Sequence, residues 1–131
     1  MTFAKQVAEF NENILKIEPR EIGFLSQAEV DISMQCLVEE GTEFLDAHAS
    51  GDLIGCIDAL VDLQYFAMGM LYKMGIPAAK IDAICTAVHD ANMTKVRGSH
   101  AKRGDGEVAD AVKPADWISP EERIAEILDN N

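Results

Sequence analysis

Positive charge is what this 131-residue chain has least of: 11 lysines and arginines stand against 23 aspartates and glutamates, a formal charge of -12. A protein that grips a nucleic-acid backbone needs a basic patch to displace counterions, so no nucleic-acid partner is expected. Cysteine is sparse as well. Cys36, Cys56 and Cys85 are dispersed among apolar residues, without the close-spaced Cys or Cys/His pairs of a zinc site, and an odd number of separated thiols fits a reducing, cytoplasmic compartment. No stretch reaches ~18 uninterrupted apolar residues, and the amphipathic start MTFAKQVAEFNENILK carries charges throughout, so neither a secretory signal nor a membrane partner is expected. Period-two alternation of useful length is missing, which predicts no strands, and no internal repeat is present.

What remains is helical periodicity. With 48% hydrophobic residues the chain is long enough to bury a core, and it reads as one all-α domain over residues 1–131: a helical core over 1–97, then a loop, an arm and a short terminal helix over 98–131. Phe3, Val7, Phe10, Ile14 and Ile17 form one apolar stripe ended by Pro19. Ser26 with Glu29 makes a capping box that starts a second helix, expected to reach about His48 and stop at Ser50-Gly51. Asp52 caps a third, apolar on nearly all sides and therefore expected to be central, with Gly75 as its stop. Pro77 opens a fourth, expected to run to about Val96. The segment from Arg97 to Ala109 reads as a mobile loop. Ser119-Pro120-Glu121-Glu122 reads as a second capping box, starting a last helix from Glu121 to Leu128. Trp117, the single tryptophan, is expected to anchor this tail, although stacking on a base is compatible with it.

The four-helix core carries its acids in an unusual place. Glu39, Glu40 and Glu43 lie within two turns of the second helix, with Glu40 and Glu43 on one face beside Ile32, Cys36 and Ala47. Asp58 and Asp62 lie one turn apart in the middle of the third, with no Lys or Arg within four residues. In so acidic a chain the glutamates alone fit a solvated face, whereas acids inside an apolar helix need a partner. Consecutive helices joined by a few residues pack antiparallel, so the two acidic patches are expected at similar heights. Hard oxygen ligands without His or Cys select Mg²⁺ or Mn²⁺, and ions there could hold a polyphosphate.

These residues resemble the MazG-like all-α nucleoside triphosphate pyrophosphatases, relatives of phosphoribosyl-ATP pyrophosphohydrolase, over most of the chain from Val38 to Trp117. The family's E-E-x-x-E is similar to Glu39, Glu40 and Glu43. Its second motif, E-x-x-D, resembles DALVDLQY, where Asp62 matches the Asp, Ala59 stands where Glu is usual, and Asp58 is adjacent. VHDANMTKV is similar to a later segment, which implies phosphate binding by Asn92 and Lys95, and K-P-x-x-W implies that Lys113 and Trp117 close over the nucleotide. The resemblance further implies hydrolysis of a nucleoside triphosphate between the α and β phosphates, with Glu40, Glu43, Asp58 and Asp62 as metal ligands, Glu39 or Glu40 as base, and a homodimer or homotetramer as the working form.

A di-iron carboxylate bundle needs Glu-x-x-His pairs, and none of His48, His89 or His100 has a Glu three residues before it. The competing reading is a helical interaction module whose acids merely solubilise it.

Overall fold

The computed structural model describes residues 1–98 and 110–130. Its helices, in chain order, are α1 (Phe3–Asn13), α2 (Gln27–Ala49), α3 (Leu53–Lys73), α4 (Ala78–Asn92) and α5 (Glu121–Asp129), and the fold is all-α. The chain divides into two compact units, Met1–Ile81 and Asp82–Asn131.

In the first unit the helix boundaries follow local chemistry. Ser26 Oγ accepts from the Glu29 N–H at 3.2 Å while Glu29 Oε1 accepts from the Ser26 N–H at 3.0 Å, so two orphan donors at the start of α2 are satisfied reciprocally. The Ser26 N–H and the Arg20 guanidinium, 2.7 Å from Glu29, hold that carboxyl below its ordinary range. Ser50 and Gly51, the latter at φ 72°, end α2. Asp52 then accepts from the Gly55 N–H at 2.9 Å and starts α3.

Two close approaches fix the register of α2 against α3. Cys56 Sγ lies 4.0 Å from the Phe44 carbonyl oxygen, and a Cβ on Gly55 would come within 3.1 Å of the Ala47 methyl. An antiparallel pair held at those points puts Glu40 opposite residues 60–62 and Glu43 about one turn nearer the α2–α3 connection.

The first helix packs on α3. Val7 is fully buried, Ala4 and Ala8 nearly so, and Gly69 leaves room for Val7 and Asn11 to lie against the α3 backbone. Tyr65 meets Phe3 and Phe10 edge-on, at ring-centroid separations of 5.7 and 5.4 Å. At the far end the Tyr72 hydroxyl donates to Glu12 Oε1 at 2.9 Å. Burial first, and the Glu12 carboxylate second, push that phenol up to about 12.

Differences from the sequence expectation have physical causes. The first helix ends at Asn13, short of Ile17, because the chain turns at Lys16 (φ 56°) and the Ile17 N–H donates to the Asn11 carbonyl. The apolar third helix is central in that both α1 and α2 pack on it, but it is not buried all round: Leu53 and Ile54 are 70% and 75% exposed, and Ile57, Leu60, Val61 and Phe66 are exposed too, because only part of its circumference is covered. By length and mean hydropathy it could cross a membrane. Asp58 and Asp62 in its middle oppose that, each costing roughly 2.5–3.5 kcal/mol at a bilayer centre.

Gly75 closes α3 at φ 85°, and a side chain there would run into the backbone of Arg20 and Glu21. Gly75→Ala should therefore cost about 2 kcal/mol or more, read as a lower midpoint in urea denaturation. An unchanged midpoint would show that the 20–21 segment yields freely.

In the second unit α4 stops at Asn92, one turn before the expected Val96. Residues 96–98 instead form a strand, β1 (Val96–Gly98), paired antiparallel with β2 (Asp110–Val112), Val96 opposite Val112. Strands of three residues are too short to show an alternating pattern, which is why none was expected. Of the segment expected to be a mobile loop, Arg97 and Gly98 belong to β1, and 99–109 lie outside the described residues. The fifth helix begins at Glu121 as expected but without a capping box: its N-cap is Pro120, which has no side-chain acceptor, and Ser119 Oγ accepts from the Glu121 N–H at 3.4 Å instead of from Glu122. Ile127 is its buried residue.

Candidate active site

Three of the five predicted acids, Glu43, Asp58 and Asp62, gather around a fourth, Glu40. Its Oε2 is sealed from solvent with no hydrogen-bond partner, an arrangement that costs free energy unless the carboxyl is protonated or offset by a cation. Burial first, then contact with Glu43, then the charges of Asp62 and Asp58, push Glu40 up to about 7. Asp62, half-buried, is likewise raised, by burial and then by Asp58 and Glu43. The repulsion therefore runs across the α2–α3 seam as well as along each helix. Glu39 is apart from this group: it is exposed and accepts from Gln35 Nε2 at 3.0 Å, one turn back on α2.

The geometry also separates Asp58 from its neighbour. Ala59 is 2% exposed, in the core, whereas Asp58 is exposed and within electrostatic reach of Glu40 and Asp62. A carboxylate at position 59 would point into packed side chains.

The donor set suits a hard cation. All four groups are carboxylates, and one buried oxygen lacks the partner that a dication would supply. They are drawn up around Glu40 rather than closed on a common point: among the described residues no three acidic, His or Cys side chains stand at metal-holding spacing. Rotamer changes of Glu43, Asp58 and Asp62, two of them exposed, are what closing such a site requires.

In the second unit three further predicted residues meet. The Lys95 and Lys113 ammonium groups lie 5.2 and 4.9 Å from the centre of the Trp117 ring, both within cation–π range. Trp117 Nε1 donates to the Ala91 carbonyl oxygen at 2.9 Å, which fixes the indole against the end of α4. Trp117 is thus an anchor, as expected, and it also gathers two cations. Lys95 lies past the end of α4 rather than on its stripe. Asn92 is the exposed last residue of α4.

The fold is all-α, and two consecutive helices turn carboxylates toward a shared seam. Residues 7–92, about two thirds of the 131, match the family described as phosphoribosyl-ATP pyrophosphohydrolase, and the chain belongs to that family. Membership indicates a pyrophosphohydrolase acting on a nucleotide-like substrate, in a family whose enzymes commonly use divalent metals. No curated protein matches the chain.

Proposed function

We propose that this protein hydrolyses a nucleoside triphosphate between its α and β phosphates, releasing the nucleoside monophosphate and pyrophosphate, in a reaction that needs Mg²⁺ or Mn²⁺. The observation that carries the reading is the unpartnered, buried oxygen of Glu40 facing Glu43, Asp58 and Asp62. A solvated acidic face would leave every carboxylate in water, so the interaction-module reading does not account for it.

Glu40, Glu43, Asp58 and Asp62 would hold the metal. Bound there, a dication supplies Lewis-acid polarisation of the phosphate and positive charge for the polyphosphate. The chain's own part is to orient and to move protons. Glu39, exposed and steadied by Gln35, can take the proton of the attacking water, and Glu40 is the second candidate for that role. Asn92, Lys95 and Lys113 supply an amide and two ammonium groups suited to phosphate oxygens, with Trp117 as their support.

The decisive experiment is pyrophosphate release from a panel of ribo- and deoxynucleoside triphosphates, with Mg²⁺ and with chelator. Release from none of them at any metal concentration would overturn the reading. Lys95→Ala should raise KM about tenfold with kcat nearly unchanged, the pattern of lost ground-state binding; an unchanged KM would leave Lys95 a local support for Trp117.

The exposed apolar residues of α3, with Ile32, Met34, Val38 and Leu45 of α2, support a homodimer or homotetramer as the working form. Free thiols at Cys36, Cys56 and Cys85 support a cytoplasmic setting.

A further inference from the structure

The geometry points to a groove between α1 and α3 as the seat of the substrate's nucleobase, with Phe3, Phe10 and Tyr65 as its aromatic walls and Gln6 and Asn13 as the residues that read the base. The inference rests on the nucleotide reading above and adds which part of the chain selects the base.

Four residues of α1 carry the pattern. Phe3, Gln6, Phe10 and Asn13 are spaced three, four and three apart, so they fall on one side of the helix and alternate ring, carboxamide, ring, carboxamide along it. This row differs from the Val7 stripe that packs the core. Together with Glu9 and Ile14 of the same helix and Val61 and Tyr65 of α3 it lines a cleft of about 530 Å³, inside the roughly 300–1,000 Å³ of small-molecule sites.

The chemistry of the lining suits a base. Rings offer flat apolar surface to any π-face, and a carboxamide presents a donor beside an acceptor, which matches the adjacent donor and acceptor on a base edge. Among the described residues neither the Gln6 nor the Asn13 carboxamide is engaged in a side-chain hydrogen bond.

Position relative to the acids is the second support. Val61 adjoins Asp62 in the chain, and Tyr65 stands three residues beyond it, so the groove opens within about one 5.4 Å turn of the carboxylate group. A nucleotide whose phosphates meet the acids has its base within reach of that opening. The other aromatic candidate, Trp117, already has two ammonium groups beside its ring and its N–H committed to Ala91, whereas Phe3 and Phe10 pack edge-on against Tyr65 and all three line the cleft.

The test uses the full chain and two independent readouts. Binding of the four common deoxynucleoside monophosphates, measured calorimetrically in chelator, probes the groove without requiring the metal site or turnover. Phe10→Leu, Gln6→Ala and Asn13→Ala are the variants, the last two changing exposed side chains that leave the core intact. Loss of ring stacking at Phe10 should weaken binding by about fivefold or more. Removing either carboxamide should compress the spread of kcat/KM among bases by about tenfold while the triphosphate is still cleaved. Unaltered monophosphate binding and an unaltered ranking of bases in all three variants would overturn the assignment, as would a change confined to oligomeric mass, which would make the groove a subunit contact. Absence of pyrophosphate release from every triphosphate would sink the catalytic reading instead; base binding that is lost in the variants would still support the groove.

Discussion

Glu40→Gln should lower pyrophosphate release by about three orders of magnitude while making the metal-free protein more stable. The two effects have one origin. An acid raised to about 7 in the folded chain from an ordinary 4.5 binds its proton more tightly folded than unfolded. Its folded form is therefore favoured below about pH 4.5, and that advantage is lost as pH rises from there to about 7. Metal-free wild-type protein should melt at progressively lower temperature across that window, with Asp62, raised for the same reasons, adding in the same direction. The amide cannot ionise, so the variant's melting temperature should be flatter with pH and higher at pH 8. Added Mg²⁺ should raise the wild-type value and leave the variant's nearly unmoved. A variant that is less stable than wild type at pH 8, or one that turns over normally, would remove Glu40 from the centre of the site.

Ala59→Glu is expected to fail despite restoring the residue usual in the E-x-x-D motif that the chain resembles. Position 59 is 2% exposed, so the new side chain must either overpack the α3 contacts or bury an unpaired carboxylate, at a cost of about 3–5 kcal/mol. For a chain of this size that is a fall in melting temperature of about 10 °C or more, readable by circular dichroism. Asp58→Asn makes the converse case: it should leave the melting temperature near wild type and reduce pyrophosphate release strongly. If Ala59→Glu folds normally and rescues Asp58→Asn, the acid at this height of α3 is not tied to position 58.

Much of the architecture could be read from residues whose action is local. Ser26 with Glu29, Asp52, Gly51 and Gly75 set helix ends through their own backbone and side-chain chemistry, and each lies where the pattern places it. Reading failed where an outcome depends on something outside the local window. The end of α1 turns on Lys16, a non-glycine residue at positive φ that no composition rule announces. The strands β1 and β2 exist only as a pair distant in sequence. The capping box at Ser119 has the right letters but the chain places Pro120 at the cap.

The site was legible in part for the same reason. Spacing put Glu40 and Glu43 on one face and Asp58 and Asp62 on another, and the short α2–α3 connection brought those faces together. That an oxygen of Glu40 would lose solvent while Glu43, on the same face, stayed exposed depends on how far along α2 the third helix covers it, which periodicity does not resolve. The alternating row on α1 is visible in principle, but Phe3 and Phe10 also fit the apolar stripe through Val7, and only the cleft shows that Gln6 and Asn13 share their side.

Trp117 has one more consequence. It is the chain's lone indole, and two positive charges stand beside it, so its emission should respond to where those charges are. Any polyphosphate that draws the lysines away should shift the fluorescence of an unlabelled sample. The protein thus carries a built-in optical gauge of anion arrival, able to time occupancy of the lysine pair separately from bond cleavage in a stopped-flow trace.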